Sequence, residues 1–129
     1  MTRARRTPAT VLWWLVFALL AGGMFVAAIN GDIYNATSPP ALAWHLVLRK
    51  LYSVIAFAAV GAAYAQARGG ARTLDAAIAI ALYSGAIEIG QWFVAVEPLR
   101  WNVGDVLFGA AGGALGAVAR RAAVRLLRR

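Results

Sequence analysis

The sequence predicts an all-α polytopic membrane protein, a bundle of four transmembrane helices. Of its 129 residues, 62% are apolar and only 14% are charged, a balance far from that of a soluble domain. Four apolar stretches follow one another, separated by short segments that contain glycine, proline or asparagine. Because one crossing needs ~20 residues, residues 1–129 are predicted to form a single domain of four crossings.

The predicted helices span residues 11–29, 46–66, 76–96 and 103–119. The first follows a basic start, but its apolar run is longer than the roughly 7–15 residues of a signal peptide, which favours a retained helix. The second carries Arg49 and Lys50 near its start, where long basic side chains can snorkel to the interface. Three separators are predicted loops: the first contains Asn30-Gly31-Asp32 and Pro39-Pro40, the second Arg68-Gly69-Gly70 and the third Glu97-Pro98.

Basic residues are distributed unequally between the two predicted sides of the membrane. With the N-terminus inside, ten arginines lie on the inner side and three basic residues on the outer side. The excess of positive charge on cytoplasmic segments therefore predicts that both termini are cytoplasmic. The inner residues are Arg3, Arg5, Arg6, Arg68, Arg72, Arg120, Arg121, Arg125, Arg128 and Arg129, and the outer ones are Arg49, Lys50 and Arg100.

Composition also limits the chemistry. The chain has no cysteine and a single histidine, His45, which excludes disulfides and a zinc site made of histidine and cysteine. No metal and no cofactor are expected. A net charge of +8 would suggest nucleic acid in a soluble protein, but here the arginines flank apolar segments. Membrane lipids, and not nucleic acid, are the predicted partners.

A polar pair, Glu88 and Gln91, lies in the third predicted helix. The spacing of three places both on one face, and Glu88 lies ~18 Å along the helix, past the membrane midplane. A carboxylate at that depth is costly unless it faces a cavity or a partner. Arg100 in the next loop and Asp105 at the start of the fourth helix can converge on the pair, with Lys50 from the second helix. These five residues predict an outward-facing polar pocket.

Each pocket residue also has a structural alternative. Glu88 and Gln91 would then make interhelical hydrogen bonds only, and Arg100 would be an interface anchor. Asp105, three residues after a potential Asn102 cap, would stabilise the start of a helix by ~1 kcal/mol. The sequence leaves these alternatives open.

Four glycines in the fourth predicted helix form two small-xxx-small pairs, at residues 109/113 and 112/116. Such pairs let another backbone approach closely. Helix packing is therefore the predicted role of Gly109, Gly112, Gly113 and Gly116.

The stretch "EIGQWFVAVEPLRWNVGDVLFGAAGGALG", residues 88–116, resembles the core signature of the VanZ-like family of bacterial membrane proteins. Upstream, "KLYSVIAFAAVG", residues 50–61, is similar to the second helix of that family. The positions that carry the resemblance are Glu88, Gln91, Arg100, Asp105, Gly112, Gly116, Lys50 and Gly61.

Three positions depart from the family pattern. Ser53 stands where the family usually has a histidine, Phe57 where it has a tyrosine, and Gly109 where it has an asparagine. His45 lies eight residues too early to replace the histidine. The resemblance implies a multi-pass protein of the bacterial inner membrane and an association with low-level resistance to the glycopeptide teicoplanin, but it defines no reaction.

Two classes of function follow. In the favoured one, the pocket binds an anionic lipid, a cell-wall precursor or another envelope ligand through its basic side chains. In the other, the protein is a small intramembrane enzyme with Glu88 and Asp105 as candidate catalytic acid–base groups. A proton-coupled transport subunit is a third class, and four helices without an internal repeat would then need a homo-oligomer to form a pathway.

The charge count generates a topology prediction. A reporter that is active only outside the cytoplasm, fused after Arg129, is expected to stay silent, whereas the same reporter fused between Asn35 and Pro39 is expected to be active. Activity at Arg129 would reverse the orientation and move the predicted pocket to the inner face.

Overall fold

The computed structural model describes residues 7–37, 44–94 and 103–129, and within these ranges it contains helices and no strand. Four of the helices are long and apolar enough to cross a membrane, as a multi-pass membrane protein requires. The described helices are α1 (Pro8–Ile29), α2 (Gly31–Thr37), α3 (His45–Ala67), α4 (Thr73–Phe93) and α5 (Val103–Leu126).

Some helices extend beyond their predicted ends, because polar residues next to the apolar run are also helical. α1 begins at Pro8, three residues early, because the Thr7 hydroxyl accepts a hydrogen bond from the Thr10 amide and proline suits the first helical turn. α5 continues to Leu126 and not 119, since arginine is a good helix former. α4 begins at Thr73 and ends at Phe93, and the predicted end at Val96 lies outside the described residues.

The segment predicted as a loop at residues 30–32 instead begins the short helix α2. The Asn30 side-chain oxygen accepts hydrogen bonds from the amides of Asp32 and Ile33, at 3.0 and 3.1 Å, which is the bonding pattern of a helix N-cap. Gly69 and Gly70, by contrast, form the predicted turn between α3 and α4, with φ angles of +71° and +108° that favour glycine. The predicted loop residues 39–40 and 97–98 lie outside the described residues.

The four long helices alternate in direction. Tyr83 and Gln91 of α4 donate hydrogen bonds to the carbonyls of Ala21 and Ala28 in α1, so these two helices run the same way. α3 and α5 also run together, because Lys50 meets Asp105 at one end and Gln66 meets Arg120 at the other. The result is an up-down-up-down bundle, in which α1 begins and α5 ends at the same end.

α5 packs most extensively against α3 and next against α4, and its glycines make both contacts. Gly112 and Gly116 face α3. A Cβ at Gly116 would lie 2.1 Å from the Ala58 carbonyl oxygen, and one at Gly112 would lie 2.5 Å from Phe57 Cβ. No side chain fits at such distances, so α3 and α5 approach backbone to backbone.

The other glycine pair faces α4. A Cβ at Gly113 would lie 2.6 Å from the Ala76 carbonyl oxygen, and one at Gly109 would lie 2.6 Å from Ser84 Cβ. The 112/116 pair therefore packs against α3 and the 109/113 pair against α4, while the Gly113 backbone also lies close to Gly61 of α3.

The outer surface of the bundle is apolar, as expected for contact with lipid. Large side chains such as Leu19, Leu82 and Ile55 are 76%, 73% and 66% exposed, and an exposed surface of this kind suits a hydrocarbon environment. The buried core is small, with Val60 and Ile80 its largest fully buried side chains. α1 contributes no fully buried residue.

The glycine contacts generate a stability prediction with a matched control. Gly116→Ala is expected to lower the unfolding free energy by about 1–3 kcal/mol, because the new methyl group forces α3 and α5 apart. Gly85→Ala, in the middle of α4 with open space around its Cβ position, is expected to be neutral or stabilising by up to about 1 kcal/mol. Detergent unfolding measures both, and an equal effect of the two changes would contradict the packing.

Candidate functional site

A cavity of about 250 Å³ lies at the end of the bundle where α1 and α4 end and α3 and α5 begin. Part of its wall is apolar: Met24, Ala27, Ala28, Ile33, Ala56, Phe57 and Ile87. The remainder is polar: Arg49, Lys50, Tyr52, Ser53, Ser84, Glu88, Gln91 and Asp105.

Four of the five residues predicted to form a pocket line this cavity together. Lys50 comes from α3, Glu88 and Gln91 from α4, and Asp105 from α5. The fifth, Arg100, lies outside the described residues. Lys50 is five residues into α3 and Glu88 five residues before the end of α4, so the cavity lies roughly 8 Å inside the ends of these helices at ~1.5 Å per residue.

Lys50 and Asp105 form an ion pair across the α3–α5 contact. Both side chains are largely removed from solvent, at 26% and 16% exposed. The Lys50 ammonium also lies 5.6 Å from the centre of the Phe108 ring, one turn further along α5, within reach of a cation–π interaction. Asp105 therefore does more than stabilise the start of a helix, because it holds the basic residue of another helix in the cavity wall.

Gln91 and Glu88 differ in their burial and in their contacts. Gln91 is 6% exposed, and its amide nitrogen donates to the Ala28 carbonyl at 3.0 Å. This bond connects α4 to the last turn of α1. It is an interhelical hydrogen bond of the kind that the structural alternative predicted for Gln91. Glu88, one turn earlier, is half-buried in the cavity wall and has an interaction partner within the chain. The carboxylate of Glu88 is thus in place to contribute charge to the cavity.

Two serine hydroxyls in the wall donate to backbone carbonyls. Ser84 donates to the Asp105 carbonyl at 3.0 Å, and Ser53 donates to the Arg49 carbonyl at 2.9 Å. Each hydroxyl proton is directed into the protein backbone, which is the usual way a buried serine in a helix is satisfied.

Arg49, predicted from the sequence only as a residue of the membrane interface, lines the cavity. Both Arg49 and Lys50 line the cavity, although neighbours in a helix point about 100° apart. Arg49 is half-buried and has a partner within the chain. The available signal was its place beside Lys50 at the start of an apolar helix, where a second basic residue is costly unless it meets polar groups.

Three further residues, Ser53, Phe57 and Gly109, lie in or beside the cavity. Ser53 and Phe57 line it, and the Phe57 ring makes an edge contact with Tyr83 at 6.2 Å. Gly109 is buried against Ser84, so no larger side chain could fit there at this helix separation. Gly109 and Ser84 instead form a close contact beside the polar wall.

The polar wall carries two cations, Arg49 and Lys50, and two carboxylates, Glu88 and Asp105. Within residues 7–37, 44–94 and 103–129, no group of three or more His, Cys, Asp or Glu residues could hold a metal ion. The cations and carboxylates of the wall can hold a charged group by ion pairing and hydrogen bonding. No family model, no curated protein and no solved structure matches the chain.

The Lys50–Asp105 pair generates a double-mutant prediction. Lys50→Met and Asp105→Asn are each expected to lower the unfolding free energy by about 1–3 kcal/mol, because each removes one member of a partly buried ion pair. The double variant should lose less than the sum of the two losses. Strictly additive losses in detergent unfolding would show that the pair contributes no coupling.

Proposed function

We propose that this chain is a VanZ-like integral membrane protein of the bacterial cell envelope and that its cavity binds an anionic group of an envelope amphiphile. The anionic group is a phosphate or carboxylate of a lipid or cell-wall precursor. Arg49 and Lys50 bind it, while Asp105 orients Lys50 and Glu88 sets the charge of the opposite wall. Arg100 completes the rim in this proposal, as the resemblance implies.

One observation carries the proposal: Lys50, Glu88 and Asp105, from three different helices, line a single cavity that also contains Arg49. Charged residues at this depth in a membrane protein are costly and are found mainly at functional sites. A purely structural role is a weaker explanation for four such residues, because interhelical contact here is already supplied by the glycines of α5.

The size of the cavity, and its wall of one apolar and one polar part, support the headgroup of an amphiphile as the group that it binds. Its volume of about 250 Å³ is just below the ~300–1,000 Å³ typical of sites for drug-sized ligands. A headgroup with a short apolar extension suits this volume, whereas a complete glycopeptide does not. Met24, Ile33 and Phe57 supply the apolar part of the wall.

The proposal places the protein in the inner membrane with both termini in the cytoplasm. The ten-to-three count of basic residues supports this orientation. The cavity then opens towards the outer face, where cell-wall precursors and outer-leaflet lipids are presented. Binding of a cell-wall precursor there would connect the protein to glycopeptide susceptibility, and deletion would then change sensitivity to teicoplanin.

Binding is favoured over catalysis by the bonding of the cavity residues. Asp105 is engaged by Lys50, which disfavours it as a general base, and the hydroxyls of Ser53 and Ser84 donate to carbonyls. The enzyme alternative therefore depends on Glu88 acting on a bound water. A homo-oligomeric transport subunit is the remaining alternative, and it too would use Glu88, as a proton carrier.

The binding proposal is tested on protein purified from its own membranes. Bound amphiphiles are extracted with solvent and quantified by mass spectrometry. We expect a phosphate- or carboxylate-bearing amphiphile to be retained, and Arg49→Gln to lower its occupancy about tenfold, the equivalent of one charged hydrogen bond. Arg49→Lys should retain more than Arg49→Gln because it keeps the charge.

In cells, the loss of the Glu88 carboxylate in the cavity is compared with the loss of the Asp75 carboxylate outside it. Glu88→Gln preserves shape and hydrogen-bonding capacity while removing the charge, and it is expected to express and melt like the parent protein but fail to complement a deletion strain. Asp75→Asn, which removes an exposed carboxylate at the opposite end of the bundle, should complement fully. Full complementation by both Glu88→Gln and Asp105→Asn would reduce these residues to structural roles.

A further inference from the structure

The end of the bundle opposite the cavity is strongly basic. It consists of the turn between α3 and α4, the first turn of α4 and the last two turns of α5, together with the residues that follow α5. Asp75 is the one acidic side chain in these segments. We call this surface the basic end; its arginines are Arg68 and Arg72 in the turn, Arg120, Arg121 and Arg125 on α5, and Arg128 and Arg129 beyond it.

Two of these arginines are fixed to the helices beside them. Arg120 Nε donates to the Gln66 side-chain oxygen at 2.6 Å, and the Arg121 guanidinium donates to the Thr73 hydroxyl. Each bond uses one of the five N–H donors of a guanidinium. Gly70 adds to this arrangement, since a Cβ there would lie 3.0 Å from an Arg120 guanidinium nitrogen. Both guanidinium groups are therefore oriented by neutral partners and keep their full positive charge.

The charge is extended by the part of α5 that continues beyond the predicted span. Arg121 and Arg125 are four residues apart and lie on one face of the helix. Arg125 and Arg128 are exposed. A row of guanidinium groups with its first member fixed to α4 presents several donors to one or more phosphates.

Two exposed leucines in the basic end suit contact with a lipid surface. Leu126 and Leu127 are 69% and 87% exposed and lie directly between Arg125 and Arg128 in the sequence. Apolar side chains flanked by arginines suit the boundary between lipid headgroups and acyl chains, where the leucines enter the apolar region and the guanidinium groups meet phosphate. A surface for a soluble polyanion would leave both leucines in water.

We propose that the basic end is a second binding site, specific for the headgroups of anionic phospholipids. Arg121 and Arg125 bind the phosphate, Arg128 adds charge, and Leu126 and Leu127 insert beside the acyl chains. The proposal is independent of the cavity and of its ligand, because it uses the opposite end of the bundle and shares no residue with it.

The test is native mass spectrometry of the full-length protein in detergent with an equimolar mixture of phosphatidylglycerol and phosphatidylcholine. The parent protein should retain phosphatidylglycerol in clear excess. The double variant Arg125→Gln/Arg128→Gln should lower that preference at least about fivefold, since one arginine near an anionic surface is worth about that factor. The double variant Arg125→Lys/Arg128→Lys, which keeps both charges, should stay within about twofold of the parent.

The outcomes separate the proposal from its competitors. Equal retention of the two lipids by the parent protein, or an unchanged preference in the glutamine variant, would overturn it. Displacement of phosphatidylglycerol by inorganic phosphate would assign the site to free phosphate instead, and displacement by an equal charge of single-stranded oligonucleotide would assign it to nucleic acid. Both substituted positions are exposed, and unchanged melting of the two variants confirms that the fold is retained.

Discussion

The close approach of the α5 backbone to α3 and α4 is the contact on which the rest of the structure depends. Between lipid-facing helices no hydrophobic driving force favours association, so van der Waals contact and interhelical polar bonds must hold the bundle together. Glycine at 112 and 116 brings α5 against α3, and glycine at 109 and 113 brings it against α4. One helix thereby sets the positions of both neighbours.

This contact also aligns the polar groups at the two ends of the bundle. With α3 and α5 parallel and in contact along their length, Lys50 meets Asp105 at one end and Gln66 meets Arg120 at the other. The cavity and the basic end are thus fixed by the same helix pair. A change in helix separation at Gly112 would disturb both, although they share no side chain.

The hydropathy of the chain was enough to predict the four long helices, because apolar runs of spanning length have few other uses. Helix ends were harder to predict. The fourth helix was predicted to end at residue 119, before Arg120 and Arg121, although these arginines continue α5, and Asn30 was assigned to a loop although it caps α2. The spacing of Glu88 and Gln91 predicted a polar face, but which of them bonds to α1 depends on helix rotation, and no local pattern encodes that. Arg49 had a signal in the sequence, its place beside Lys50 near the start of an apolar helix, but whether its side chain reaches the cavity also depends on helix rotation.

The attachment of α1 differs from that of the other three long helices. It has no fully buried side chain, and hydrogen bonds from Tyr83 and Gln91 reach its carbonyls at Ala21 and Ala28. Its contribution to the cavity wall, Met24, Ala27 and Ala28, is held by these backbone acceptors together with half-buried side chains such as Phe17 and Phe25, which pack against the core. Apolar substitutions at Met24, Ala27 or Ala28 would leave both acceptors in place, so they would change the shape and lipophilicity of this wall without removing a charged group from the cavity.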